Sequence, residues 1–133
     1  MAESRLSLPP SLFAETARPP ADTPPLDGDK TVSVAVIGGG FTGLSAALHL
    51  AEQGADVAVL EAHEPGWGAS GRNGGQVNPG LKPDPDQVVA DFGADLGERM
   101  VAMAWNAPNA TFDIIRRHQI QCDASQTGTI RAA

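Results

Sequence analysis

The stretch that most constrains this chain is six residues long: Gly38-Gly39-Gly40-Phe41-Thr42-Gly43, a G-x-G-x-x-G pattern. It sits between two segments of opposite periodicity. Residues 31–37 (Thr-Val-Ser-Val-Ala-Val-Ile) are β-branched and almost continuously apolar, which predicts a buried parallel strand. From Thr42 to Gln53 the apolar residues Leu44, Ala47, Leu48 and Ala51 recur at helical spacing. Gly54 is placed to end that helix, and residues 56–61 (Asp-Val-Ala-Val-Leu-Glu) predict a second buried strand. Strand, glycine turn, helix and strand together predict a β-α-β unit with a right-handed crossover, so the fold class is α/β.

Each glycine of the turn has its own physical reason. Gly38 allows the tight turn, Gly40 lets backbone approach a pyrophosphate, and Gly43 lets helix and strand pack closely. The helix start then offers free amides and a partial positive charge to phosphate. There is no G-K-[ST] sequence, which excludes a P-loop nucleotidase. Glu61 lies 23 residues after Gly38, close to the ~20 expected for an acid that accepts hydrogen bonds from a ribose diol. A carboxylate there repels a 2′-phosphate and disfavours NADP. Taken alone, Glu61 reads equally well as an ordinary solvated strand-end acid.

Residues 62–83 form a long loop rich in glycine, and long loops in compact domains are functional or disordered. Of the 15 glycines in the chain, 11 lie between Gly38 and Gly80. Trp67, Arg72, Asn73 and Gln76 stand among them, which is not linker composition. Residues 85–119 read as helical, with Val101, Ala104, Trp105, Phe112 and Ile115 as an apolar face. Pro108 is expected to break this stretch into two pieces, and Asp95 with Glu98 fits a capping box. Residues 126–131 read weakly as a strand.

Residues 1–30 read as a Pro-rich leader, with prolines at 9, 10, 19, 20, 24 and 25. It is expected to be a flexible arm, or else an arm laid over the body through Leu12, Phe13 and Leu26. A net charge of −7 argues against a nucleic-acid binder and against docking on anionic lipid. No apolar run is long enough to span a bilayer. Leu6-Ser7-Leu8 followed by Pro9-Pro10 does not read as a signal peptide. The single cysteine, Cys122, rules out an internal disulfide or a multi-cysteine metal site and fits a cytoplasmic location.

Residues 31–61, followed by Gly68-Ala69-Ser70-Gly71-Arg72-Asn73-Gly74-Gly75-Gln76, resemble the FAD-dependent amine and amino-acid oxidoreductases of the D-amino-acid oxidase/glycine oxidase superfamily. The γ-glutamylputrescine oxidase-like branch is the nearest resemblance, and the lead-in Pro25-Leu26-Asp27-Gly28-Asp29 shares it. The resemblance implies a Rossmann-like FAD-binding unit with following helices, forming an incomplete domain over residues 31–133. It implies noncovalent FAD, with contacts from Gly38, Gly40, Phe41, Thr42, Gly43, Glu61 and Ala62. Ser70, Arg72, Asn73, Gly74, Gly75 and Gln76 follow from the loop that wraps the cofactor in this family. Gly71, Gly74 and Gly75 permit positive φ and close approach. Arg72 can offset diphosphate or reduced-flavin charge, and Asn73 and Gln76 can donate to ring oxygens.

The implied reaction oxidises the C–N bond of a small amine or amino acid to an imine, which then hydrolyses. No catalytic acid or base is assigned within this chain, and no metal is expected. His63 belongs near the adenosine end, His49 on the helix surface and His118 at a helix end. The chain ends on the expected strand, so it is expected to be the N-terminal part of a longer enzyme. Such a part alone is expected to retain flavin weakly. Two other readings stay open: an NAD-dependent dehydrogenase, which leaves the second loop unexplained, and a noncatalytic dinucleotide-binding subunit.

Overall fold

A computed structural model describes residues 10–19 and 21–130. The described chain divides into two units, the first running to Gly74 and the second starting at Gly75. The first nine residues, Pro20 and residues 131–133 lie outside the described residues, and with them part of the leader and the end of the expected C-terminal strand.

In the first unit, strand β1 (Val34–Ile37), helix α2 (Phe41–Glu52) and strand β2 (Val57–Leu60) form the expected β-α-β unit, preceded by a short helix α1 (Leu12–Thr16). The strands are parallel, in the register Val34↔Val57, Ala35↔Ala58, Val36↔Val59 and Ile37↔Leu60. One further bond extends the ladder at each end: Val34 N donates to Asp56 O (3.1 Å) and Gly38 N to Leu60 O (2.8 Å). β1 is shorter than the apolar run predicts, because β2 offers partners only across these four pairs. Nor is it buried on both faces. Val34 and Val36 are half-buried, whereas Ile37 is 80% exposed.

Helix α2 ends as the sequence predicts. Gly54 takes φ +85°, its amide donates to Ala51 O (2.9 Å), and the Ala55 amide donates to Leu50 O (3.0 Å). This crossed pair satisfies carbonyls that a helix end otherwise leaves open. In the leader, Ser11 caps α1 by accepting from Ala14 N (3.1 Å). Leu12, Phe13 and Leu26 are all exposed, so they do not anchor an arm.

In the second unit, α3 (Pro85–Phe92) and α4 (Ala94–Arg117) pack against each other. The stretch does divide in two, but at Gly93 and not at Pro108. Gly93 takes φ +79°, which only glycine adopts without strain. Gly97 is buried where the helices meet, and a Cβ there would lie 2.6 Å from Val89 Cα. Pro108 stays inside α4. The carbonyl it leaves without a helical donor, Ala104 O, accepts a hydrogen bond from Gly80 N (3.1 Å). The capping box does not form either. Gly93 is the N-cap, and Asp95 in the first turn pairs with Arg99 (2.9 Å). Residues 126–130 form no strand. Gln126 is held on α4 instead, donating to Asn109 Oδ1 (3.0 Å) and accepting from Arg116 (3.3 Å). His118 is the C-cap of α4, and Cys122 is exposed.

Candidate cofactor site

The turn between β1 and α2 is built from glycine backbone. Gly38 takes φ +104°, and Gly40 is the N-cap of α2 without a side chain to cap it. A Cβ on Gly43 would stand 2.0 Å from Gly38 O and 3.2 Å from Val36 Cγ1. The third glycine therefore lets the helix start against the turn and the strand, as the pattern requires.

Glu61 follows β2 and reaches back to this turn. Its Oε2 accepts from Gly39 N (2.6 Å) and its Oε1 from His63 N (3.1 Å). These amides, Gly39 first, hold the carboxyl below the ordinary carboxylate range, since each bond favours the charged form. Gly66 N donates to Gly39 O (2.9 Å), so the second loop is tied to the same peptide.

Residues 66–71 (Gly-Trp-Gly-Ala-Ser-Gly) repeat the G-x-G-x-x-G spacing, which the sequence reading overlooked although the glycine positions alone display it. They also repeat the geometry. Gly66 takes φ +82°, Gly68 is an extended N-cap like Gly40, and a Cβ on Gly71 would stand 2.2 Å from Gly66 O. A 3-10 helix, Ala69–Gly71, follows. The two turns touch through Ser70, whose Oγ accepts from Phe41 N (3.0 Å) at the start of α2. A Cβ on Gly40 would lie 2.9 Å from that oxygen.

The structure thus gathers Gly38, Gly40, Phe41, Gly43, Glu61 and Ser70 in one place, with Thr42 exposed in the first turn of α2 and Ala62 exposed beside Glu61. Arg72 lies on Trp67: its guanidinium is 4.5 Å from the ring centroid and its Nε donates to Trp67 O (3.0 Å). His63 approaches the same indole, with centroids 4.2 Å apart. Asn73 Nδ2 donates to Ser70 O (2.6 Å). Of Gly71, Gly74 and Gly75, Gly75 alone takes a positive φ (+69°). Gly75 and Gln76 belong to the second unit. His49 is exposed on α2, its Nδ1 2.7 Å from Ser45 O. Among the described residues no group of three or more His, Cys, Asp or Glu could hold a metal, and no helix is long and apolar enough to cross a membrane. Chemically, the first unit brings a glycine-built helix start and a carboxylate into one place.

Comparison with known proteins agrees with this chemistry. Residues 33–133 match the family described as FAD dependent oxidoreductase. The chain is 43% identical over 113 residues to gamma-glutamylputrescine oxidoreductase of Escherichia coli (strain K12), covering 85% of this chain and 26% of that protein. It is 44% identical over 104 residues to the probable oxidoreductase OrdL of Haemophilus influenzae, covering 75% of this chain and 23% of that protein. Glycerol-3-phosphate dehydrogenase 1 of Mycobacterium bovis is 34% identical over 102 residues, covering 77% of this chain and 20% of that protein. The chain thus spans about a quarter of the length of the first two relatives. No solved structure gives a significant match. A β-α-β unit with two glycine turns and a strand-end carboxylate, matched from residue 33 onward, identifies the chain as a member of the FAD-dependent oxidoreductase family.

Proposed function

We propose that this chain supplies the ADP-binding part of a noncovalent FAD site in an enzyme that oxidises the C–N bond of a small amine or amino acid. The observation that carries the reading is the Glu61 contact: the carboxylate is held 2.6 Å from the Gly39 amide, at the turn where α2 begins. The shape of the turn supports this reading. Glycines stand where a Cβ at Gly40 or Gly43 would close the turn, and a helix start is a suitable seat for a diphosphate. Glu61 accepts the ribose hydroxyls, which favours FAD over a 2′-phosphorylated dinucleotide. Phe41, Thr42 and Gly43 present the start of α2 to the diphosphate, and Ser70 orients the Phe41 amide. Arg72, Asn73, Gly74, Gly75 and Gln76 line the path toward the flavin in this reading. The Arg72 guanidinium itself lies over the indole of Trp67.

When bound, the cofactor supplies the redox chemistry by accepting a hydride equivalent from the carbon beside the substrate nitrogen. The amine class is supported by the name of the 43%-identical relative, a gamma-glutamylputrescine oxidoreductase. A relative named for glycerol 3-phosphate is matched over much of the same chain at 34%. Relatives named for two different substrates thus match much of the same chain, so the match supports the cofactor-binding part of the proposal more than the choice of substrate. A cytoplasmic location is part of the proposal, supported by the single free cysteine.

The test is to purify the native protein and release its chromophore by denaturation. FAD recovered near one per chain, bleached anaerobically by an amine or amino acid, is the expected result. A colourless protein that binds a nicotinamide dinucleotide would establish the dehydrogenase reading instead. Bound FAD that no amine reduces would leave the noncatalytic reading.

A further inference from the structure

Proline inside a helix removes one amide and leaves the carbonyl four residues earlier without its donor. In α4 that carbonyl is Ala104 O, and it is not left open: Gly80 N donates to it at 3.1 Å. We propose that Pro108 is a positioning residue for the segment that carries Gln76, acting through the Ala104 carbonyl and Gly80. This rests on the reading of Gly75 and Gln76 as cofactor contacts.

The surroundings of Gly80 agree with a built contact. Gly80 takes φ +89°, a conformation that L side chains rarely adopt. A Cβ there would lie 3.7 Å from Cε2 of Trp105, the residue next to Ala104. The backbone at Gly80 therefore rests against the indole while its amide meets the carbonyl. A second contact holds the segment two residues earlier, where Thr129 Oγ1 donates to Asn78 Oδ1 (3.3 Å). The loop leaving Gln76 is thus fastened within four residues, and the stronger fastening exists because position 108 has no N–H. An ordinary residue at 108 would donate to Ala104 O within the helix and compete with Gly80 for it. The helix tolerates the proline for the same reason, since its freed carbonyl is satisfied.

The test uses the full-length protein and the variant Pro108→Ala, which returns the amide and favours helix, so the variant folds. Hydrogen exchange of the peptide covering residues 76–83 should accelerate by about five- to tenfold, the worth of one hydrogen bond. Circular dichroism should show α4 intact. FAD should bind about five- to tenfold more weakly, with a changed visible spectrum. An α-hydroxy acid at position 108, which also lacks an N–H, should restore both slow exchange and FAD affinity. Unchanged exchange in Pro108→Ala overturns the proposal. So does faster exchange with FAD affinity and spectrum unchanged, because the contact would then hold the loop without positioning the cofactor. So does failure of the α-hydroxy acid to rescue. Failure of the cofactor reading itself would show separately, as unmodified protein without flavin, and the exchange comparison still decides whether position 108 governs the contact.

Discussion

Residues 38–43 and 66–71 carry the same glycine spacing and nearly the same turn, yet one opens a helix of 12 residues and the other a 3-10 helix of three. In both, the first glycine takes a positive φ and the last crowds the carbonyl of the first. The difference begins after the turn. Leu44, Ala47 and Leu48 follow the first at helical spacing, and α2 contacts both strands. Arg72, Asn73, Gly74 and Gly75 follow the second and provide no apolar row. Glycine spacing therefore sets the turn, while packing of the following residues decides whether a helix grows from it. The first turn is braced by a sheet, and the second by polar bonds within its own loop and to Phe41 and Gly39.

Five measurements would break or sharpen this contrast. The largest effect is expected for Gly43→Ala, whose Cβ would stand 2.0 Å from Gly38 O with Val36 behind it. Because turn, helix and strand must all shift, a loss of about 3 kcal/mol is expected in denaturant unfolding, with loss of bound flavin. Gly71→Ala meets Gly66 O at 2.2 Å, but its loop can yield. About 1–2 kcal/mol is expected, concentrated in faster proteolysis of the loop and not in global unfolding. Equal losses for the two glycines would show that the sheet does not brace the first turn.

Ser70→Ala removes the hydroxyl that accepts the Phe41 amide, with an expected cost of about 1 kcal/mol in thermal unfolding, typical of a lost helix cap. Gly40→Ala should be less harmful in the Ser70→Ala background than alone, since its Cβ would lie 2.9 Å from the missing oxygen. Additive effects would mean that the turns do not touch in solution. The smallest effect concerns pH. Glu61 has a lowered folded-state pKa, so its contribution is present above the ordinary carboxylate range and is lost as pH falls through the lower folded value. Glu61→Gln should flatten the acid limb of a stability-against-pH curve. An unchanged acid limb would mean that the carboxylate does not hold the Gly39 turn.

The β-α-β unit was legible because its signals are local: β-branched runs, glycines and a helical row within residues 31–61. The contacts of Glu61 with Gly39 and of Ser70 with Phe41 were not, since they join residues 22 and 29 apart. Pro108 misled for a related reason. A proline normally ends a helix because a carbonyl loses its donor, and no local pattern reveals that Gly80 supplies another. The break falls instead at Gly93, whose positive φ turns α3 into α4. Asp95 and Glu98 have capping-box spacing, but α4 starts two residues too early for Asp95 to be its cap.

The two tryptophans divide between the two units, one in each, and the chain has no tyrosine. Trp67 lies in the second glycine turn beside His63 and Arg72, while Trp105 lies against Gly80. Each half of the molecule thus carries its own native fluorophore. Replacing either one by phenylalanine isolates the emission of the other, so melting of the nucleotide-side turns and of the helical hairpin can be followed separately without an attached dye.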